Sequence, residues 1–91
     1  GQIQSHLIGE LQALLERGAK DGVFRDGVTA TELYVSIASL CYFPISNAHT
    51  LRAVFDVPVD EAWLSKRSVD IGEMVIRFLK PYPAAQAVLR P

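Results

Sequence analysis

The sequence predicts an all-α domain, and three observations carry that prediction. Apolar residues recur at steps of three and four over three long segments, beginning near Ile3, Thr29 and Asp60. Residues that start or stop helices bound these segments: Gly22, the pair Thr29 and Glu32, Asp60 and Pro81. The flanks of the Asp26-Gly27 pair do not alternate over strand length, so that pair reads as a turn and not as a hairpin tip.

The first helix is expected from about Ile3 to Asp21. Ile3, Leu7, Ile8, Leu11, Leu14, Leu15 and Gly18 form its apolar side, and Gln4, Glu10, Gln12, Glu16, Arg17 and Lys20 its polar side, as in an amphipathic helix with one buried face. Gly22 suits the left-handed position that ends a helix. The link GVFRDGV then turns the chain, with Val23 and Phe24 expected to fold back onto the helices. Thr29 and Glu32 make a capping box for the second helix. Leu33, Tyr34, Ile37, Leu40 and Cys41 share one face of it, and Val35, Ala38 and Tyr42 nearly the opposite face. Pro44 is expected to kink or end this helix near Phe43, with Ser46 capping a short helix through Leu51, Val54 and Phe55. DVPVD, residues 56–60, is a connection. Asp60 caps the last helix, which runs to about Lys80. Its polar side offers the pairs Lys66–Asp70 and Glu73–Arg77. The tail 81–91, PYPAAQAVLRP, is expected to be loosely ordered, which leaves 1–80 as the domain.

Composition narrows the function classes. The 91 residues are 49% hydrophobic and 21% charged, which suits one small soluble domain, with no apolar run long enough to span a membrane. The net charge of -1 and the lack of a basic cluster argue against nucleic-acid binding by this stretch alone. A single Cys41 excludes an internal disulfide framework and suits a reducing, cytoplasmic compartment.

The second segment carries no Asp, Glu, Lys or Arg between Glu32 and Arg52. A helix apolar on two sides is buried on both, and three or four short helices lack the interior to do that alone. In the last helix Ser65, Val69, Gly72 and Ile76 follow the steps 4, 3, 4 of a helix–helix seam. Gly72 costs about 1 kcal/mol relative to Ala inside a helix, a cost that makes sense where two backbones approach. The expected architecture is an antiparallel helical domain. Its last two long helices form a four-helix bundle across a homodimer two-fold, with Val35, Ala38, Tyr42, Ser65, Val69, Gly72 and Ile76 at the interface.

The stretch GVFRDGVTATELYVSIASLCYFPISNAHTL resembles the C-terminal regulatory domain of TetR-type transcriptional repressors, and KRSVDIGEMVIRFLKP is similar to the final helix of one branch of them. The resemblance covers about Leu11 to Pro81 and rests on the order and spacing of these stretches. It implies an all-α homodimer, a small-molecule effector pocket in the same domain, and an N-terminal helix-turn-helix domain that binds DNA. No helix-turn-helix lies within these 91 residues, nor do the helices that form much of the pocket. The chain is therefore expected to be a fragment that reaches DNA only through the domain absent from it. Leu11, Tyr34 and Phe43 are the candidates for pocket lining.

The remaining residues do not assemble a catalytic centre. Cys41 reads as core, since buried cysteine behaves as a small hydrophobe. Cys41, His49 and Asp60 do not make a nucleophilic triad, because no motif surrounds the cysteine and Pro44 intervenes. His49 reads as a local hydrogen-bonding residue and His6 as solvated. Two histidines and scattered carboxylates supply no metal site, and no cofactor is implied. Asp60 and Glu61 read as acids complementing a helix start. The reading is a dimerisation and effector-sensing domain, not an enzyme. A stand-alone helical dimerisation or interaction module is the alternative.

Overall fold

The computed structural model describes residues 1–81, so the tail expected to be loose lies outside the described residues from residue 82 on. Four helices follow one another: α1 (Gln2–Lys20), α2 (Ala30–Ser46), α3 (Ala48–Phe55) and α4 (Glu61–Leu79). No strand occurs among the described residues. The chain divides into two compact units. One holds Gly1–Leu33 and the described residues from Phe78 on, and the other holds Tyr34–Arg77.

In the first unit, α1 ends in a complete Schellman motif. The Val23 N–H donates to the Gly18 carbonyl at 2.8 Å and the Gly22 N–H to the Ala19 carbonyl at 3.1 Å. Gly22 takes φ +76°, which glycine adopts without a Cβ clash. The link then returns half-way to α1. Phe24 lies on Gly18, where a Cβ would overlap its ring carbons, whereas Val23, also expected to fold back, is exposed. The Gln12 carboxamide oxygen accepts the Ala30 N–H at 2.7 Å, tying α1 to the start of α2. Thr29 Oγ1 accepts the Glu32 N–H at 3.3 Å, the forward half of the capping box. The Arg25 N–H donates to the Leu79 carbonyl at 2.8 Å, and the guanidinium stacks 4.5 Å from the centroid of Phe78. The link thus satisfies a carbonyl in the last turn of α4 that has no partner within the helix. Leu15, Ala30, Leu33 and Leu79 are the buried residues of this unit.

Two expectations for α1 and α2 need correction. The apolar side of α1 is two arcs and not one. Leu15 is buried with Ile8 and Leu11 half-buried, while Ile3, Leu7 and Leu14, about a quarter turn away, are exposed. On α2, Tyr34 and Cys41 are exposed, not core. They sit roughly a quarter turn from Leu33 and Pro44, the centre of the buried arc.

In the second unit, Pro44 does not stop α2, which continues to Ser46. Proline removes one backbone donor, but Pro44 falls in the last turn, and its ring is buried on the same arc as Leu33, Ile37 and Leu40. Three donors then crowd the Phe43 carbonyl: the Asn47 N–H at 3.0 Å, Asn47 Nδ2 at 3.1 Å and Ser46 Oγ at 3.3 Å. Ser46 therefore closes α2 instead of opening α3, whose N-cap is Asn47. Asp56 ends α3 in the left-handed conformation at φ 56°. Arg52 Nε donates to the Val59 carbonyl at 3.1 Å, its Nη2 donates to the same oxygen, and the Val57 N–H reaches the Leu51 carbonyl. These bonds fold the 56–60 connection onto α3. Asp60 Oδ1 accepts the Trp63 N–H at 2.8 Å and caps α4. Both expected ion pairs form on its polar side, Glu73–Arg77 at 2.7 Å and Lys66–Asp70 at 3.5 Å. Val59 and Ile71 are buried here together with Pro44.

Candidate functional site

The residues expected at a dimer seam all lie in the second unit. On α2, Val35 and Tyr42 are exposed and Ala38 is half-buried. On α4, Ser65, Val69, Gly72 and Ile76 form one exposed stripe beside the arc that buries Ile71. Exposure reaches 67% at Tyr42 and 70% at Val69, large values for side chains whose burial contributes about 1.5–3 kcal/mol each. A Cβ on Gly72 would meet nothing within 4 Å, so no contact among the described residues accounts for this glycine.

The uncovered surface extends past the residues that sequence reasoning selected. Ile45, Val54, Phe55 and Met74 are also exposed in this unit. Ile45 stands one helical turn beyond Tyr42, so the apolar spacing of the outer face already contained it. For Val54 and Phe55 no such signal existed, because a short helix with three apolar residues is read by default as folded inward.

The pocket candidates fall in different units, Leu11 in the first and Tyr34 and Phe43 in the second. Leu11 lines an open groove of about 510 Å³ along α1 with Glu10, Ala13, Leu14 and Arg17. Tyr34 and Phe43 are exposed on α2 and line neither this groove nor a second cleft of about 410 Å³. That cleft lies between α1 and the link, floored by Leu15 and Ala19. Its rim carries Glu16 and Asp26 as well as Lys20 and Arg25. Opposite charges side by side select no net ligand charge. His49 is exposed on α3, and His6 is exposed with Nε2 3.1 Å from Glu10. Among the described residues no group of three His, Cys, Asp or Glu is placed to hold a metal ion, and no helix is long and apolar enough to cross a membrane.

The four-helix order and its capped boundaries are what a sequence comparison should recognise. The family described as tetracyclin repressor-like, C-terminal domain, matches residues 1–75. The chain belongs to this family. It is the C-terminal domain of a TetR-type regulator, as the stretches quoted above implied. It is also similar to the HTH-type transcriptional repressor NicS of Pseudomonas putida, with 42% identity over 55 residues. That match covers 60% of this chain and 26% of NicS, so the chain spans about a quarter of that relative. No solved structure matches it.

Proposed function

We propose that this chain is the dimerisation and effector-sensing part of a cytoplasmic TetR-type repressor. One observation carries the reading: Val35, Tyr42, Val69 and Ile76, with the open position at Gly72, leave α2 and α4 of one unit bare on their apolar outer faces. Two copies related by a two-fold axis would cover these faces with each other, since a two-fold interface sets the same patch against itself. Interface cores are depleted of charge, and no Asp, Glu, Lys or Arg lies between Glu32 and Arg52.

The mechanism is geometric and requires no catalytic residue. An effector held in this domain, in a pocket that further chain completes, would bias how its helices pack. The dimer bundle would pass that bias to the spacing of two helix-turn-helix domains outside these residues. Binding to DNA half-sites depends on that spacing. The name of the relative, an HTH-type transcriptional repressor, supports this reading. The test is sedimentation equilibrium of the chain across the micromolar range. Dimer mass is expected, and a monomer throughout overturns the proposal.

A further inference from the structure

We propose that the link between α1 and α2 is a strap that makes the C-terminal end of α1 and the last turn of α4 move as one. The inference rests on the reading of the chain as an effector-sensing dimer. It gives that reading an internal connection, by which helix packing altered at α1 reaches α4 and the seam proposed there. The contacts that make the strap all fall within the first unit. On one side the link is fastened to α1. The Val23 and Phe24 N–H groups both donate to the Gly18 carbonyl, at 2.8 and 3.0 Å, and the Phe24 ring fills the place of a Cβ on Gly18. On the other side the link is fastened to α4. The Arg25 N–H donates to the Leu79 carbonyl at 2.8 Å, and the Arg25 guanidinium lies 4.5 Å from the centroid of Phe78.

The two fastenings sit on consecutive residues. Phe24 holds α1 and Arg25 holds α4, and their Cα atoms are about 3.8 Å apart across one peptide bond. No slack lies between them, so a displacement at Gly18 is not absorbed before it reaches Leu79. The freedom of the link lies outside this pair, at Gly22 with φ +76° and Gly27 with φ +82°, where glycine turns without a Cβ clash. Beyond Arg25 the pull meets a stiff body. The Leu79 side chain is 8% exposed, so the end of α4 is held by that side chain as well as by its carbonyl. Helix α4 is continuous from Glu61 to Leu79. Ile76 of the proposed seam stands two residues before Phe78, about 3 Å along the helix axis. Packed side chains, hydrogen bonds and rigid elements joined in this way are what carries coupling between distant sites.

The test disturbs α1 and reads α4 in the full chain by hydrogen exchange, with amides 48–55 of α3 as the measure of global opening. Gly18→Ala displaces the Phe24 ring. Phe24→Leu, a milder loosening of the same fastening, replaces it if circular dichroism shows that the first variant loses its helices. Exchange of amides 76–79 is expected to rise roughly threefold or more relative to α3. Two glycines inserted between Phe24 and Arg25 keep both fastening residues and add slack. In that background the same substitution is expected to leave amides 76–79 unmoved, since the two changes are coupled and not additive. A rise confined to α1 and the link, or one of equal size with and without the insertion, overturns the strap. Sedimentation equilibrium reads the seam separately. Gly18→Ala is expected to raise the dimer dissociation constant by a similar factor, and an unchanged constant overturns the step from strap to seam. If the unsubstituted chain is monomeric, the dimer reading fails, while the strap acts inside one chain and is still decided by exchange.

Discussion

Gly18 shows how one residue can be fixed by space alone. It lies inside α1, where glycine costs about 1 kcal/mol relative to alanine, and its backbone is not in the left-handed region that would demand glycine. The reason is Phe24, whose ring carbons Cδ2, Cε2 and Cγ occupy the place of a Cβ. Gly18→Ala must therefore displace an aromatic ring that is half-buried and anchored by the Phe24 N–H on the Gly18 carbonyl at 3.0 Å. Overpacking of that kind costs roughly 1–3 kcal/mol, more than the gain in helix propensity. Urea unfolding should show Gly18→Ala as net destabilising. In the Phe24→Ala background the same change should become neutral or stabilising, because the clash is gone. Equal costs in both backgrounds would mean that the ring is not the cause.

At the scale of the element, the caps decide where helices begin, and Asp60 is the clearest. Its carboxylate takes the Trp63 N–H at 2.8 Å, one of the donors that a helix start leaves without a partner. Asp60→Ala should cost about 0.5–2 kcal/mol of stability, and Asp60→Asn much less, since Asn keeps an acceptor oxygen. Equal losses in the two variants, measured by denaturant midpoint, would move the effect from the hydrogen bond to the charge. Such caps were legible in the sequence because they are local: Gly22, Thr29 and Asp60 act within a few residues of themselves. Pro44 was not legible for the opposite reason. The local rule says that proline stops a helix, and the tertiary fact is that its ring is buried, with only two residues of α2 left to follow. Helix faces failed in the same way. Periodicity says which residues of α1 are apolar, but not that Leu15 is buried while Ile3, Leu7 and Leu14 are left exposed. For the candidate site, spacing alone picked out Val69, Gly72 and Ile76, whereas the exposure of Val54 and Phe55 needed coordinates.

At the scale of the molecule, the balance between covered and uncovered apolar surface is the dominant fact. Among the described residues six apolar side chains and the Pro44 ring are buried, and fifteen large apolar side chains are exposed, ten of them in Tyr34–Arg77. Soluble monomers rarely leave large contiguous apolar patches, and where these occur they mark interaction sites. Gly72 turns that statement into an experiment, because the two effects of replacing it have opposite signs. Within one chain its Cβ position is open, so Gly72→Ala should raise the intrinsic stability of α4 by roughly 1 kcal/mol through helix propensity. Across a close helix seam the added atoms have no room, and Gly72→Leu should drive the chain toward monomer while its helix content holds. Sedimentation and circular dichroism on the same samples separate the two effects. A dimer that tolerates leucine would place the backbones of the two α4 helices too far apart for a glycine-mediated seam. Helix content lost together with dimer mass would instead show that α4 depends on its partner to fold.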